Sequence, residues 1–235
     1  MWRYRILVTS RKRRRLLVFA VTMLLVPILI FGPGASSGQD SVRLPAPSVP
    51  AERGLSAGKL LVASRQIKDP RFSETVILLV EYSIHGAVGL IINRPTEVTL
   101  STMWPDVAGL KDRNETFFIG GPVGMNRMML LIQSGRRPAD AHGVFNDVYA
   151  STSMTTLRQL TDDPAKGERF KAYVGYAGWI ASQLDQEVSR GDWHIMDADV
   201  RTIFDKDPSE VWHELIRRFS TDSIITEVYD LQALS

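Results

Sequence analysis

Residues 58–95 read GKLLVASRQIKDPRFSETVILLVEYSIHGAVGLIINRP, and they decide the architecture. Three apolar runs lie inside this stretch, Lys59 to Ala63, Val76 to Val80 and Val88 to Ile92. Each is of strand length and rich in Val, Ile and Leu, the composition of buried strands. Asp69-Pro70 separates the first two, because a proline presets φ for a turn and disfavours helix at the residue before it. Ser83-Ile84-His85-Gly86 separates the last two. Gly86 supplies a positive φ there, so a hairpin is expected. Pro95 cannot donate to a ladder and ends the third run, and the Asn93 amide is placed to cap that turn.

Working outward, 235 residues suit one main domain with a substantial core. A hydrophobic content of 44% and an aromatic content of 9% are globular values. The formal charge of +2 is dominated by Arg3, Arg5, Arg11, Lys12, Arg13, Arg14 and Arg15. Without these seven the chain holds 21 basic against 26 acidic residues, a poor footprint for a phosphate backbone, so direct nucleic-acid binding is not expected. The absence of cysteine excludes disulfides, thiolate metal sites, cysteine nucleophiles and cysteine lipidation.

The N-terminal region has the order of a secretory signal: basic residues 1–15, apolar residues 16–31, then the small residues Gly32 to Gly38. Pro27 interrupts the apolar run, which is shorter than the ~20 residues of a comfortable membrane span. Residues 1–31 are therefore read as a signal peptide, cut after Ser37 or Gly38, or as a short uncleaved anchor contacting the membrane. Under either reading the arginines stay cytoplasmic and the body is periplasmic or anchored to the inner membrane. If translation begins later, the protein is cytoplasmic. Residues 32–57, with Pro45, Pro47 and Pro50, read as a flexible linker, and residues 58–235 as the globular domain.

Downstream, a short helix is expected over Leu100 to Trp104, a polar loop over Ala108 to Glu115, and strands at Thr116 to Ile119, Met128 to Gln133, Asn146 to Ala150 and Phe170 to Gly175. Ser151, Thr152 or Ser153 is suited to cap a helix over Met154 to Leu160. Tyr176-Ala177-Gly178-Trp179 is read as opening a helix with Ile180, Leu184 and Val188 on its apolar face and Gln183, Glu187 and Arg190 on a solvated one, stopped by Gly191. A last helix begins at Asp207-Pro208-Ser209-Glu210 and buries Val211, Trp212, Leu215, Ile216 and Phe219.

The GKLLVA opening, Asp69-Pro70 with Phe72, Glu81, GAVGLIINRP, Gly120-Gly121-Pro122-Val123, and Gly175-Tyr176-Ala177-Gly178-Trp179 with Gln183-Leu184 and Trp193 occur in an order that resembles the bacterial YqgE/AlgH family. The match spans about Gly58 to Phe219. The resemblance implies an α/β fold with a mixed, largely antiparallel sheet, a small closed barrel-like core and flanking helices. It also implies an association with transcriptional regulation of exopolysaccharide synthesis. Members are usually cytosolic and lack a leader, so residues 1–58 are a departure. Members often carry Cys-Glu-His where Val80-Glu81-Tyr82 stand, a His near Gln133, and Gly where Ser182 stands. Thiol or imidazole chemistry therefore does not transfer, and a close backbone contact at Ser182 is expected to change.

The candidate ligand cleft combines Asp69, Arg71, Glu81, Asn93 and Arg94, since carboxylate and guanidinium together bind or polarise a small molecule. Turn capping and an ordinary Arg71–Glu81 ion pair would account for the same residues. Gly120-Gly121 permits close approach of an anion but lacks the lysine and hydroxyl of a phosphate loop. Tyr176 and Trp179, beside Gly175 and Gly178, line a pocket or fill core. His85, His142, His194 and His213 show no metal-ligand spacing, so no metal is expected. No cofactor fingerprint or nucleophile elbow occurs, so neither a cofactor nor a catalytic residue is assigned. The leading expectation is a non-catalytic binding or regulatory module with a protein or small-molecule partner. The alternative is an enzyme with a cysteine-free polar cleft.

Overall fold

The computed structural model describes residues 54–111, 113–163 and 167–219. The leader and most of the linker lie outside these residues. Among the described residues, no helix is long and apolar enough to cross a membrane.

The three apolar runs form β1 (Lys59–Ala63), β2 (Val76–Ser83) and β3 (Gly86–Ile91), paired antiparallel in sequence order. Ser83 faces Gly86 across the expected hairpin, where Gly86 has φ 140°. Residues 76–80 are all buried, so this part of the sheet is covered on both faces. The chain continues through β4 (Pro95–Thr99), α1 (Leu100–Met103), a single 3₁₀ turn at Ala108–Leu110, β5 (Thr116–Ile119) and β6 (Val123–Gln133). Then follow β7 (His142–Phe145), β8 (Val148–Ser151), α2 (Met154–Asp162) and β9 (Arg169–Ile180). The last elements are α3 (Gln183–Ser189), β10 (Trp193–Asp197), α4 (Val200–Phe204) and α5 over residues 208–219.

The fold is mixed α/β with a largely antiparallel sheet in the order β10-β1-β2-β3-β9-β6-β8-β7, and β4 joins through β5 to β9. The pairing of β5 with β9 is parallel. The sheet curls strongly: Glu81 of β2 comes within 3.8 Å of His142 of β7, although β3, β9, β6 and β8 intervene in the strand order. It does not close. Among the described residues no ladder joins β10 to β7 or β2 to β7, so the closed barrel expected from the resemblance is corrected to an open curled sheet.

Strand alternation divides the interior in two. Leu131 and Tyr173 face the larger core, which holds β1, β2 and β3 residues with Val211, Trp212, Leu215 and Ile216 of α5. Leu130, Ile132, Ala172 and Val174 face a smaller core with Leu157 and Leu160 of α2. Period-two side chains on β6 and β9 thus serve both cores. Ser153 caps α2 by accepting from the Thr156 amide, and each buried leucine of that helix contributes roughly 1.5–3 kcal/mol through removal from water. α5 begins as read, with the Asp207 carboxylate accepting from the Ser209 amide at 2.9 Å. Its Trp212 indole donates to the Ala63 carbonyl at 2.8 Å, fixing it to β1.

A second reading is overturned. Tyr176 to Trp179 do not open a helix; they continue β9, which pairs with β3 through Ala87↔Trp179 and Gly89↔Ala177. Burial alternates along them, with Ala177 and Trp179 inside and Gly178 and Ile180 outside, a strand period. The helix starts only at Gln183, after Ser182 adopts φ 63°.

Candidate functional site

A cleft of about 640 Å³ opens between the loop after β1, the start of β6 and α3. Its size is that of a small-molecule site. The loop contributes Gln66, Lys68, Asp69, Arg71 and Phe72; the start of β6 and the end of β9 contribute Val123 and Trp179; α3 and the start of β10 contribute Gln183, Glu187 and Trp193. β9 and β10 bring the two tryptophans to the floor from separate parts of the sheet.

Glu187 organises this floor. Its Oε2 accepts the indole N–H of Trp179 and that of Trp193, each at 2.9 Å, while Oε1 accepts from the Gln183 amide at 3.0 Å. The indole rings meet edge to face at 6.3 Å, and Phe72 packs against Trp193 in the same manner at 5.8 Å. Such perpendicular contacts place a positive ring edge on a negative ring face. The arrangement locks α3 to the sheet and gives the cleft a rigid aromatic base.

The rim is ionic. Arg71 donates from Nε and Nη2 to the Asp69 carboxylate at 2.7–3.1 Å, and the Arg71 amide donates to Asp69 Oδ1 at 2.9 Å. The Arg71 hydrogen bonds hold the Asp69 carboxyl below its ordinary pKa, leaving it a fixed negative charge at neutral pH. Arg190 pairs likewise with Asp192.

The residues expected to form one cleft are only partly together. Asp69, Arg71 and Trp179 line it. Asn93 and Arg94 instead line a smaller hollow of about 230 Å³ with Trp212 and His213. There the Asn93 side chain accepts from the Val76 amide and donates to the Glu74 carbonyl, both at 2.9 Å, as a turn cap does. Arg94 donates to the Arg71 and Ser73 carbonyls, so it braces the same loop from behind. Glu81 lies apart beside His142, and the expected Arg71–Glu81 pair is replaced by Arg71–Asp69. Gly120 and Gly121 do not face the cleft lining: a Cβ on Gly120 would stand 2.3 Å from the Gly175 carbonyl oxygen, and one on Gly121 2.2 Å from the Tyr176 carbonyl carbon. They permit the crossing of two backbones. Tyr176 packs over Gly124 and Gly178 rather than lining the cleft.

Gln183, Glu187 and Arg190, read as a solvated face, are cleft residues. Their i, i+4, i+7 spacing puts them on one side of α3, and the signal that a carboxylate there has work is the pair of tryptophans flanking the helix in sequence. Phe72 and Trp193 belong to the blocks that carry the family resemblance, yet residue type alone gives them no site role.

Fold and cleft define an α/β domain built on a curled, largely antiparallel sheet with an aromatic-floored cleft between the loop after β1 and α3. The chain belongs to the AlgH-like family, whose model matches residues 60–223. A UPF0301 protein of Mycobacterium tuberculosis is 32% identical over 173 residues, covering 72% of this chain and 85% of that protein. A UPF0301 protein of Streptomyces coelicolor is 28% identical over 176 residues, covering 73% and 91%. The solution structure of the AlgH protein from Pseudomonas aeruginosa superposes with a TM-score of 0.59 at 30% identity, covering 69% of this chain and 88% of that one. A crystal structure of a Corynebacterium diphtheriae protein, at 20% identity, shares the fold with a TM-score of 0.60.

Proposed function

We propose that this domain is a non-catalytic binding module that receives a small ligand in the cleft between the loop after β1 and α3. The observation that carries this reading is the convergence of Trp179 and Trp193 on Glu187, which makes a preformed aromatic floor beneath a charged rim. Binding is favoured over proton transfer because Asp69 is held ionised by Arg71 and so is a poor acid near neutrality. The separation of Glu81 from Asp69 and Arg71 removes one carboxylate from the residue set of an enzymatic cleft. A regulatory role would follow from coupling ligand occupancy to a protein partner.

The test is a metabolite screen read by the indole N–H resonances of Trp179 and Trp193. The expected result is a compound that shifts both resonances and is recovered chemically unchanged. Turnover of such a compound, lost in Asp69→Asn without unfolding, would replace the binding module with an enzyme.

We further propose that residues 1–31 carry the body across the inner membrane, as a cleaved signal or a short anchor, with residues 32–57 as the linker. The support is the basic, apolar, small-residue order of the sequence. Fractionation followed by N-terminal sequencing decides it, and a full-length cytoplasmic product would refute export.

A further inference from the structure

Each rim ion pair is asymmetric in its exposure. The Arg71 side chain is 61% exposed and its Asp69 partner 32%; Arg190 is 63% exposed and its Asp192 partner 20%. The carboxylates are tucked against the protein and the guanidinium groups stand outward, so the equal formal charges do not present equally to an incoming molecule. Lys68, on the same rim, is exposed and forms no hydrogen bond or ion pair among the described residues. Glu187 is the remaining acid of the lining, and both of its oxygens are occupied by indole and amide donors. The solvent-facing rim is therefore cationic on a body whose acids outnumber its bases once residues 1–15 are set aside.

The opposite wall is apolar. Val123 is 41% exposed where it lines the cleft beside Pro122 and Gly178, and Trp179 and Phe72 continue that surface inward. An outward cationic rim beside an apolar wall selects for a molecule with the complementary halves.

We infer that the cleft takes a small amphipathic anion: a carboxylate, phosphate or sulfonate group held between Lys68, Arg71 and Arg190, on a flat apolar body that lies against Val123 and Trp179. This rests on the binding-module reading and names its ligand class. The anionic head satisfies exposed N–H donors, and the body displaces water from the Val123 side. The tucked carboxylates set the direction of the guanidinium groups, as orienting partners rather than as contacts to the ligand.

Three probes with one ring system separate the possibilities: naphthyl phosphate, neutral naphthol and cationic naphthylmethylamine, titrated calorimetrically into the full-length chain at low salt. The expected order is phosphate first, naphthol weaker and the amine without measurable binding. Lys68→Glu is expected to weaken the phosphate at least ~10-fold and Arg190→Gln several-fold, since reversing or removing a rim charge acts directly on the head group. Lys68 has no partner to lose, so that variant is expected to fold as the wild type, checked by its unfolding midpoint. An amine or naphthol that binds as tightly as the phosphate would overturn the anion assignment and leave the cleft in place. So would wild-type phosphate affinity in both variants. Absence of binding by all three probes would overturn the cleft reading itself.

Discussion

Trp179 and Glu187 meet at 2.9 Å, indole N–H to carboxylate, joining the end of β9 to the middle of α3 across the floor of the cleft. Trp193 donates to the same oxygen. Truncating the carboxylate therefore strands two indole donors at once. Glu187→Ala is expected to destabilise the domain by ~2–3 kcal/mol, the cost of unmade buried hydrogen bonds, and Glu187→Gln by less, since an amide oxygen still accepts. Urea unfolding measures both, and equal losses in the two variants would refute the shared-acceptor account.

Gly120 tests the backbone crossing. Its added Cβ would meet the Gly175 oxygen at 2.3 Å and Leu90 Cδ2 at 2.9 Å. Gly120→Ala is expected to cost at least ~3 kcal/mol through overpacking against main chain. Gly135→Ala, where nothing lies within 4 Å, is the control and should stay within about 0.5 kcal/mol.

Ser182 holds φ 63° just before α3. A left-handed conformation costs a non-glycine residue roughly 1–2 kcal/mol, while glycine adds about 0.4–1 kcal/mol of unfolded-state entropy to be lost. The difference predicts that Ser182→Gly stabilises by about 0.5–1 kcal/mol, read from the denaturation midpoint. A glycine here would adopt this dihedral angle without strain.

Tyr173 is fully buried and its hydroxyl has no hydrogen-bond partner among the described residues, and burial drives its pKa upward. Removing an unsatisfied polar atom relieves a desolvation cost. Tyr173→Phe should leave stability unchanged or raise it by about 1 kcal/mol; a clear loss by calorimetry would show that the hydroxyl is bonded in solution.

Asp69 sets a pH dependence. Its folded pKa lies below the ordinary carboxylate value because Arg71 hydrogen-bonds the charged form. The contribution is complete above the unfolded pKa of about 4 and is lost as pH falls through the lower folded value. The stability gap between wild type and Asp69→Asn should therefore narrow from about pH 5 downward. Asp205, Asp207 and Glu214 are shifted in the same direction but are present in both proteins, so they cancel from the gap.

Legibility followed the strength of local signals. β1, β2 and β3 were readable because unbroken Val, Ile and Leu runs were bounded by Asp69-Pro70 and by Gly86. The start of α5 was readable from Asp207-Pro208, whose cap chemistry is local. β9 extends past the point the sequence suggests because Gly175 and Gly178 look like breaks, whereas Gly175 admits the Gly121 backbone and Gly178 lies beside the Tyr176 ring of the same strand. β4 was missed behind Pro95, which opens that strand instead of only ending its predecessor. β7 and β10 are four or five residues long and mixed in polarity, so pairing rather than pattern defines them. For the site, Asp69 and Arg71 were found by residue type, yet Glu187 was not. Its role depends on two indoles brought together by sheet pairing, a relationship that a solvent-facing helical spacing conceals.

β9 has one further implication for the molecule as a material body. Its residues alternate between the core under α2 and the core under α5, and its ends hold β6 on one side and β3 and β5 on the other. β6 shares this division, with Leu131 in one core and Leu130 and Ile132 in the other, so a disturbance in either core reaches the other through two adjacent strands. A ligand seated on Trp179 at its tip would brace the whole beam.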